Sequence, residues 1–62
     1  MPILTAEGPP VGDLDKKREF ARRMTAAAAE AYGLPADTII IVFKESTPEN
    51  VSVGGRLLVD RN

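Results

Sequence analysis

The chain begins Met-Pro-Ile, and Pro2 has two readings. As the first residue of a strand it is tolerated because no N–H is needed there. As the residue behind an initiator methionine, which cellular processing removes when a small residue follows, it would become a free secondary amine able to take up a proton. While Met1 stays attached, the same nitrogen is a tertiary amide without basicity. Other chemistry is narrow. The chain has neither cysteine nor histidine, so it offers no thiol nucleophile, no imidazole base and no ordinary zinc site, and neither a metal nor a cofactor is expected. The glycines of Glu7-Gly8-Pro9-Pro10 and Val53-Gly54-Gly55-Arg56 lack the spacing and the Lys-Ser/Thr of a phosphate loop and read as turns. Lys16, Lys17, Arg18, Arg22 and Arg23 crowd two helical turns. With a single phenylalanine among them and no net basic charge, they form a solvated face rather than a nucleic-acid surface. Lys16 has a sharper reading, because it lies near the positive end of a helix and could help hold a carboxylate. Glu7 and Glu45 read as surface carboxylates rather than acid/base groups.

The elements that must position these residues follow from pattern. Pro2 to Ala6 is expected to form a short strand, ended by Gly8-Pro9-Pro10-Val11-Gly12-Asp13. From Leu14 to Tyr32 apolar and small residues recur at helical spacing, with Phe20, Met24, Ala27, Ala28 and Ala31 on the inward face and Lys17, Arg18, Arg22 and Thr25 elsewhere. Asp13 or Asp15 suits the helix start, and Gly33 with Pro35 suits its end. Thr38 to Phe43 is a β-branched run without polar alternation, so both its faces should be covered. A strand, a helix and a strand in that order make a right-handed βαβ unit with parallel strands, and one helix covers one face only. Ile39, Ile41 and Phe43 are expected on one side, Ile40 and Val42 on the other, with a neighbouring subunit as the cover. Val51 to Val53, Gly54-Gly55 and Arg56 to Val59 read as a β-hairpin. The expected class is therefore α+β: one domain over 1–62, with a parallel βαβ unit and a C-terminal hairpin, assembled as an oligomer.

Size points the same way. A chain of 62 residues removes only ~60% of its unfolded surface from water when it folds alone, and without disulfides or a metal, self-association is the remaining support. The net charge of −1 creates no field for nucleic acid. No apolar run approaches the roughly 20 residues needed to span a bilayer, so no membrane partner is expected. With no visible signal peptide and no cysteine, a cytoplasmic location is expected.

The Met-Pro-Ile start, the length of 62, a helix beginning near residue 14 and Val53-Gly54-Gly55 together resemble the 4-oxalocrotonate tautomerase family. The resemblance spans the whole chain. It is strongest toward divergent archaeal and bacterial homologues that share the Gly-Pro turn, the Lys-Lys-Arg-Glu-Phe helix start and the Glu-Asn-Val-x-Val-Gly-Gly segment. The family resemblance implies a homohexamer, a trimer of dimers, in which the amino-terminal proline is the general base. That base moves a proton between the carbons of a small enol or 2-keto acid. Pro2 matches it once Met1 is gone. The better-known members also carry two substrate-binding arginines and a phenylalanine, where this chain has Pro9-Pro10-Val11, Ile40 and Val51. Lys16 or Arg56, from this or a neighbouring subunit, is then the candidate replacement cation, with Lys44 a more distant third. Ile40 and Val51 are the remaining candidates for substrate contact. Two alternatives stay open: a non-catalytic oligomeric member of the same fold, and a proline-dependent hydratase or dehalogenase.

Overall fold

The computed structural model describes residues 1–61. Its elements are β1 (Ile3–Gly8), α1 (Leu14–Tyr32), β2 (Ile40–Glu45), β3 (Ser52–Val53) and β4 (Arg56–Leu57), with tight 3-10 turns at Ala36–Thr38, Pro48–Asn50 and Leu58–Asp60. β1 and β2 pair in parallel, from Ile3 opposite Ile40 to Gly8 opposite Glu45, while β3 and β4 form a separate antiparallel pair. The fold is the expected one: a βαβ unit followed by a short hairpin.

Asp13 caps the helix, its carboxylate accepting from the N–H groups of Asp15 at 2.8 Å and Lys16 at 3.3 Å. Gly33 closes it in the left-handed region at φ 67°, and both Gly33 and Leu34 donate to the Ala29 carbonyl. The inward face is rotated from the expected one. Lys17, Ala21, Met24, Thr25 and Ala28 are half-buried or buried, whereas Ala27 and Ala31 are exposed. Lys17 turns inward because its apolar stem can lie along the sheet while its ammonium reaches Glu45. Phe20 sits at the margin, still meeting the Phe43 ring at 5.6 Å.

Three boundaries differ from expectation. β1 runs through Gly8 rather than stopping at Ala6, because the Gly8 carbonyl accepts from Ser46 N–H at 2.8 Å. Pro9 and Pro10, which have no N–H to donate, end the strand instead. β2 begins at Ile40 rather than Thr38, since the Thr38 hydroxyl and N–H both bond back to the Pro35 carbonyl and hold a tight turn. The hairpin strands have two residues each. Leu58 donates to the Val51 carbonyl at 2.9 Å and the chain then coils at Leu58–Asp60 rather than continuing as a strand.

Residues opposite one another in the parallel ladder share a face. Leu4, Ala6, Ile41 and Phe43 therefore lie toward α1, and Ile3, Thr5, Ile40 and Val42 lie on the other face. On that second face Ile3 is 59% and Val42 37% exposed. Ala28 and Ile39 are the buried hydrophobic residues among those described. The chain exposes 4865 Å², against about 3,900 Å² for a compact monomer of this mass. Its radius of gyration is 14.8 Å, against about 11 Å for a compact chain of this length.

Candidate active site

Pro2 stands at the entrance to β1, half-buried, with its carbonyl accepting from Ile40 N–H at 3.0 Å. This bond extends the parallel ladder by one step and fixes the pyrrolidine at the end of the sheet. Met1 beyond it is 83% exposed. Ile40 is thus beside Pro2 through the backbone, on the sheet face turned away from the helix. Its side chain is a hydrocarbon and brings no charge to that position.

The other sequence-predicted residues lie elsewhere. Lys16 is at the start of α1, beside the far end of β1, and six strand steps of ~3.3 Å place that end about 20 Å from Pro2. Its side chain is exposed, and its ammonium makes no ion pair among the described residues. Arg56, in β4, donates through its guanidinium to the Asp60 carbonyl at 2.7 Å. Val51 follows the Pro48–Asn50 turn and is tied to Leu58 in the same arm. Lys44 is exposed, opposite Glu7 in the ladder. Within one chain, then, Pro2 and Ile40 come together, Val51 and Arg56 share the hairpin arm, and Lys16 stands at the opposite end of the sheet.

That opposite end holds a concavity of about 280 Å³ lined by Ala6, Gly8, Pro9, Val11, Phe20 and Phe43, with Glu7 and Glu45 as its charged members. Glu45 is engaged: its Oε2 accepts from the Lys17 ammonium at 2.7 Å and from Val11 N–H at 2.9 Å. Lys17, and after it the Val11 N–H, hold the Glu45 carboxyl below the ordinary carboxylate range. The Lys17 ammonium also stands 5.6 Å from the centre of the Phe43 ring. Sequence reading puts Lys17 on the solvated face, and the structure turns it inward; Glu45 stays at the surface as expected, engaged there by Lys17 and Val11. The available signal is parity, because Glu45 falls on the same side of β2 as Ile41 and Phe43. The three arginines of α1 are paired outside the cavity: Arg18 with Asp15, Arg22 and Arg23 with Glu19.

A parallel βαβ unit with a proline at the head of its first strand and a C-terminal hairpin defines a class of small enzyme folds, and comparison with known proteins gives the family. The model of the family described as tautomerase enzyme matches residues 2–61. A Bacillus cereus protein described as a probable tautomerase is 32% identical over 47 residues, covering 76% of this chain and 77% of its own. The crystal structure of DmpI from Archaeoglobus fulgidus superposes with a TM-score of 0.84 at 47% identity, covering 95% of this chain and all of that one. A 4-oxalocrotonate tautomerase from Chloroflexus aurantiacus, described as a heterohexamer, superposes with a TM-score of 0.85 at 27% identity over the full length of both chains. The chain belongs to the tautomerase family of isomerases.

Among the described residues no helix is long and apolar enough to cross a membrane.

Proposed function

We propose that the protein catalyses keto–enol proton transfer on a small enol or 2-keto acid, with the Pro2 amine, freed by removal of Met1, as its general base. The observation that carries this reading is the placement of Pro2. Its carbonyl is held by Ile40 N–H, so its nitrogen has a fixed position at the sheet end and its ring allows little further motion. In a partly apolar site the charged ammonium is disfavoured, which brings the amine toward the operating pH and leaves its lone pair available.

Assembly completes the site in this reading. The sheet has two strands, so the outer edge of β1 is free to pair. Two copies joined antiparallel along the full length of β1 place Pro2 of one opposite Pro9 of the partner subunit, beside the cavity at the far end of that subunit's sheet. The excess exposed surface, about 1,000 Å² over a compact monomer, is commensurate with the ~800 Å² that one partner contributes to a standard interface. A homohexamer built as a trimer of dimers accounts for the uncovered face of the sheet as well, and Arg56 and Val51 then serve a neighbour's site.

The test joins mass and activity. Intact-mass measurement on protein from its native host should show Met1 absent. The processed protein should ketonise an enolised aryl pyruvate, with Pro2→Ala lowering kcat by about 10²–10⁴-fold and leaving sedimentation unchanged. Because Ile40 and Val11 supply no guanidinium, less positive charge faces the amine than in an arginine-bearing relative. Its pKa, followed by NMR of the Pro2 nitrogen, should therefore lie above that relative's. Quantitative retention of Met1 would favour the non-catalytic reading instead.

A further inference from the structure

Lys17 and Val11 direct two donors, a side-chain ammonium and a backbone N–H, at one oxygen of Glu45, at 2.7 and 2.9 Å. Both distances are those of charge-assisted hydrogen bonds. The donors come from different elements, and each has a reason to be there. Pro9 and Pro10 carry no N–H, so Val11 provides the first donor after Gly8, and the loop presents it toward β2. Lys17 is held over the Phe43 ring, and Phe43 is held by Phe20. The carboxylate between them forms one wall of a cavity whose other walls are Ala6, Gly8, Pro9, Val11, Phe20 and Phe43.

We infer that Lys17 and Val11 form a carboxylate-binding site that Glu45 occupies from within the chain, and that Glu45 thereby restricts the cavity to ligands without a second carboxylate. A ligand carboxylate approaching this wall meets Glu45, with Glu7 also on the cavity lining, and finds the two donors already engaged. Like charges at such range repel, whereas an uncharged ring or alkyl group meets an apolar surface. Removing the Glu45 side chain beyond its β-carbon leaves the ammonium and the N–H converging on an open position. An external carboxylate can then make the same two bonds. The ligand class assigned to the vacated site is a monocarboxylate, or one end of a dicarboxylate. The specificity consequence rests on the proposed tautomerase reading; the site itself does not.

Two experiments with Glu45→Ala separate these. Acetate titrated into the variant, against sodium chloride at equal ionic strength, should shift the Val11 amide resonance saturably and raise the melting temperature. Wild type and Glu45→Gln, which retain an acceptor in place, should bind acetate at least tenfold more weakly at that position. A folded Glu45→Ala whose Val11 resonance ignores acetate overturns the inference, and so does a variant that is unfolded and stays unfolded in acetate. Equal acetate binding by wild type overturns it too. In the processed enzyme, the ratio of kcat/KM for a dienol dicarboxylate over an aryl pyruvate enol should rise about tenfold in Glu45→Ala, through KM, and rise less in Glu45→Gln, which loses the charge but keeps an acceptor on the two donors. A ratio that is unmoved while acetate binds rejects the specificity role and retains the site. Acetate binding in a protein with no activity in any form rejects the tautomerase reading and supports the site.

Discussion

Between Ile3 and Glu45 each strand residue has a ladder partner, and one face of the ladder is packed against a capped helix. From Thr47 to Arg61 the chain is held differently. Asn50 bonds back to Thr47, Leu58 to Val51, Arg61 to Leu58 and the Arg56 guanidinium to Asp60, all within the arm. Three of its apolar residues point outward, Val53 at 61%, Val59 at 57% and Leu57 at 39% exposed, while Val51 and Leu58 are half-buried. The arm therefore has local shape without a core of its own, while the body has half a core and one uncovered face. A hairpin of two-residue strands is marginal in water by itself, and a two-stranded sheet with one bare face is little better. Each part lacks what a second copy's other part can supply. On this view the body sets the position of Pro2 and the arm contributes mainly to assembly.

The largest effect should come from Val42→Asp, which places a charge at the centre of the uncovered face. Burying an unpaired carboxylate in an interface costs several kcal/mol, so subunit dissociation constants should rise by about 10²-fold or more. Sedimentation should show the assembly breaking down, while far-UV circular dichroism keeps the signal of α1, which lies on the other side of the sheet. An assembly indifferent to this substitution would mean that the face meets solvent in the functional protein and that body and arm do not divide the work in this way.

A smaller effect distinguishes the arm. Gly54 and Gly55 have φ of 63° and 85°, the positive pair that a two-residue hairpin turn requires. Gly55→Ala should cost roughly 1–2 kcal/mol in turn conformation and weaken assembly by about 5- to 30-fold. Gly12→Ala is the control in the body, because it lies outside the left-handed region and an added Cβ there meets open space. Concentration-dependent sedimentation of the two variants tests the contrast. Equal loss in both would place the hairpin outside the interface.

Sequence legibility divides along the same line. The βαβ order is readable because its signals are local and strong: the β-branched run from Ile39 to Phe43, the Asp13 cap, and Gly33 before Pro35. The assignment of Ile40 and Val42 to one face and Ile41 and Phe43 to the other follows from strand parity alone, and the ladder register agrees with it. Pro2 at the strand head is also readable. The inward turn of Lys17 is not: its spacing before Ala21 and Met24 puts it on the inward stripe, but a lysine reads as polar and its partner Glu45 lies far along the chain, on another element. The end of β1 is hidden because glycine reads as a breaker, whereas Gly8 keeps its carbonyl in the ladder. The hairpin reads longer than it is because Leu57, Leu58 and Val59 suit a strand, and nothing local announces that Leu58 bonds back to Val51.

The smallest effect concerns the link between the body and its own Pro9–Val11 loop. Glu45 has its carboxyl held below the ordinary value of 4.5, by Lys17 first and then by the Val11 N–H. A carboxyl lowered in the folded state contributes stability that is fully present above its unfolded value and is lost as pH falls through the folded one. The melting temperature should therefore decline on acidification below about pH 4.5, with the Val11 amide resonance titrating in step as Glu45 is protonated and the Lys17 pairing weakens. Glu19 is lowered as well, by Arg22 and Arg23, and contributes in the same window from the outer surface of the helix. The two are separable, because Glu45→Gln should abolish the Val11 titration and Glu19→Gln should leave it in place. Glu7 and Lys44 also bear on this end of the sheet, so Glu7→Gln is the further control. Since Glu45 is partly open to water, the change in melting temperature should be modest, and the resonance is the more sensitive reading. If Val11 titrates unchanged in Glu45→Gln, another carboxylate holds the loop, and the body is tied to it through a residue other than Glu45.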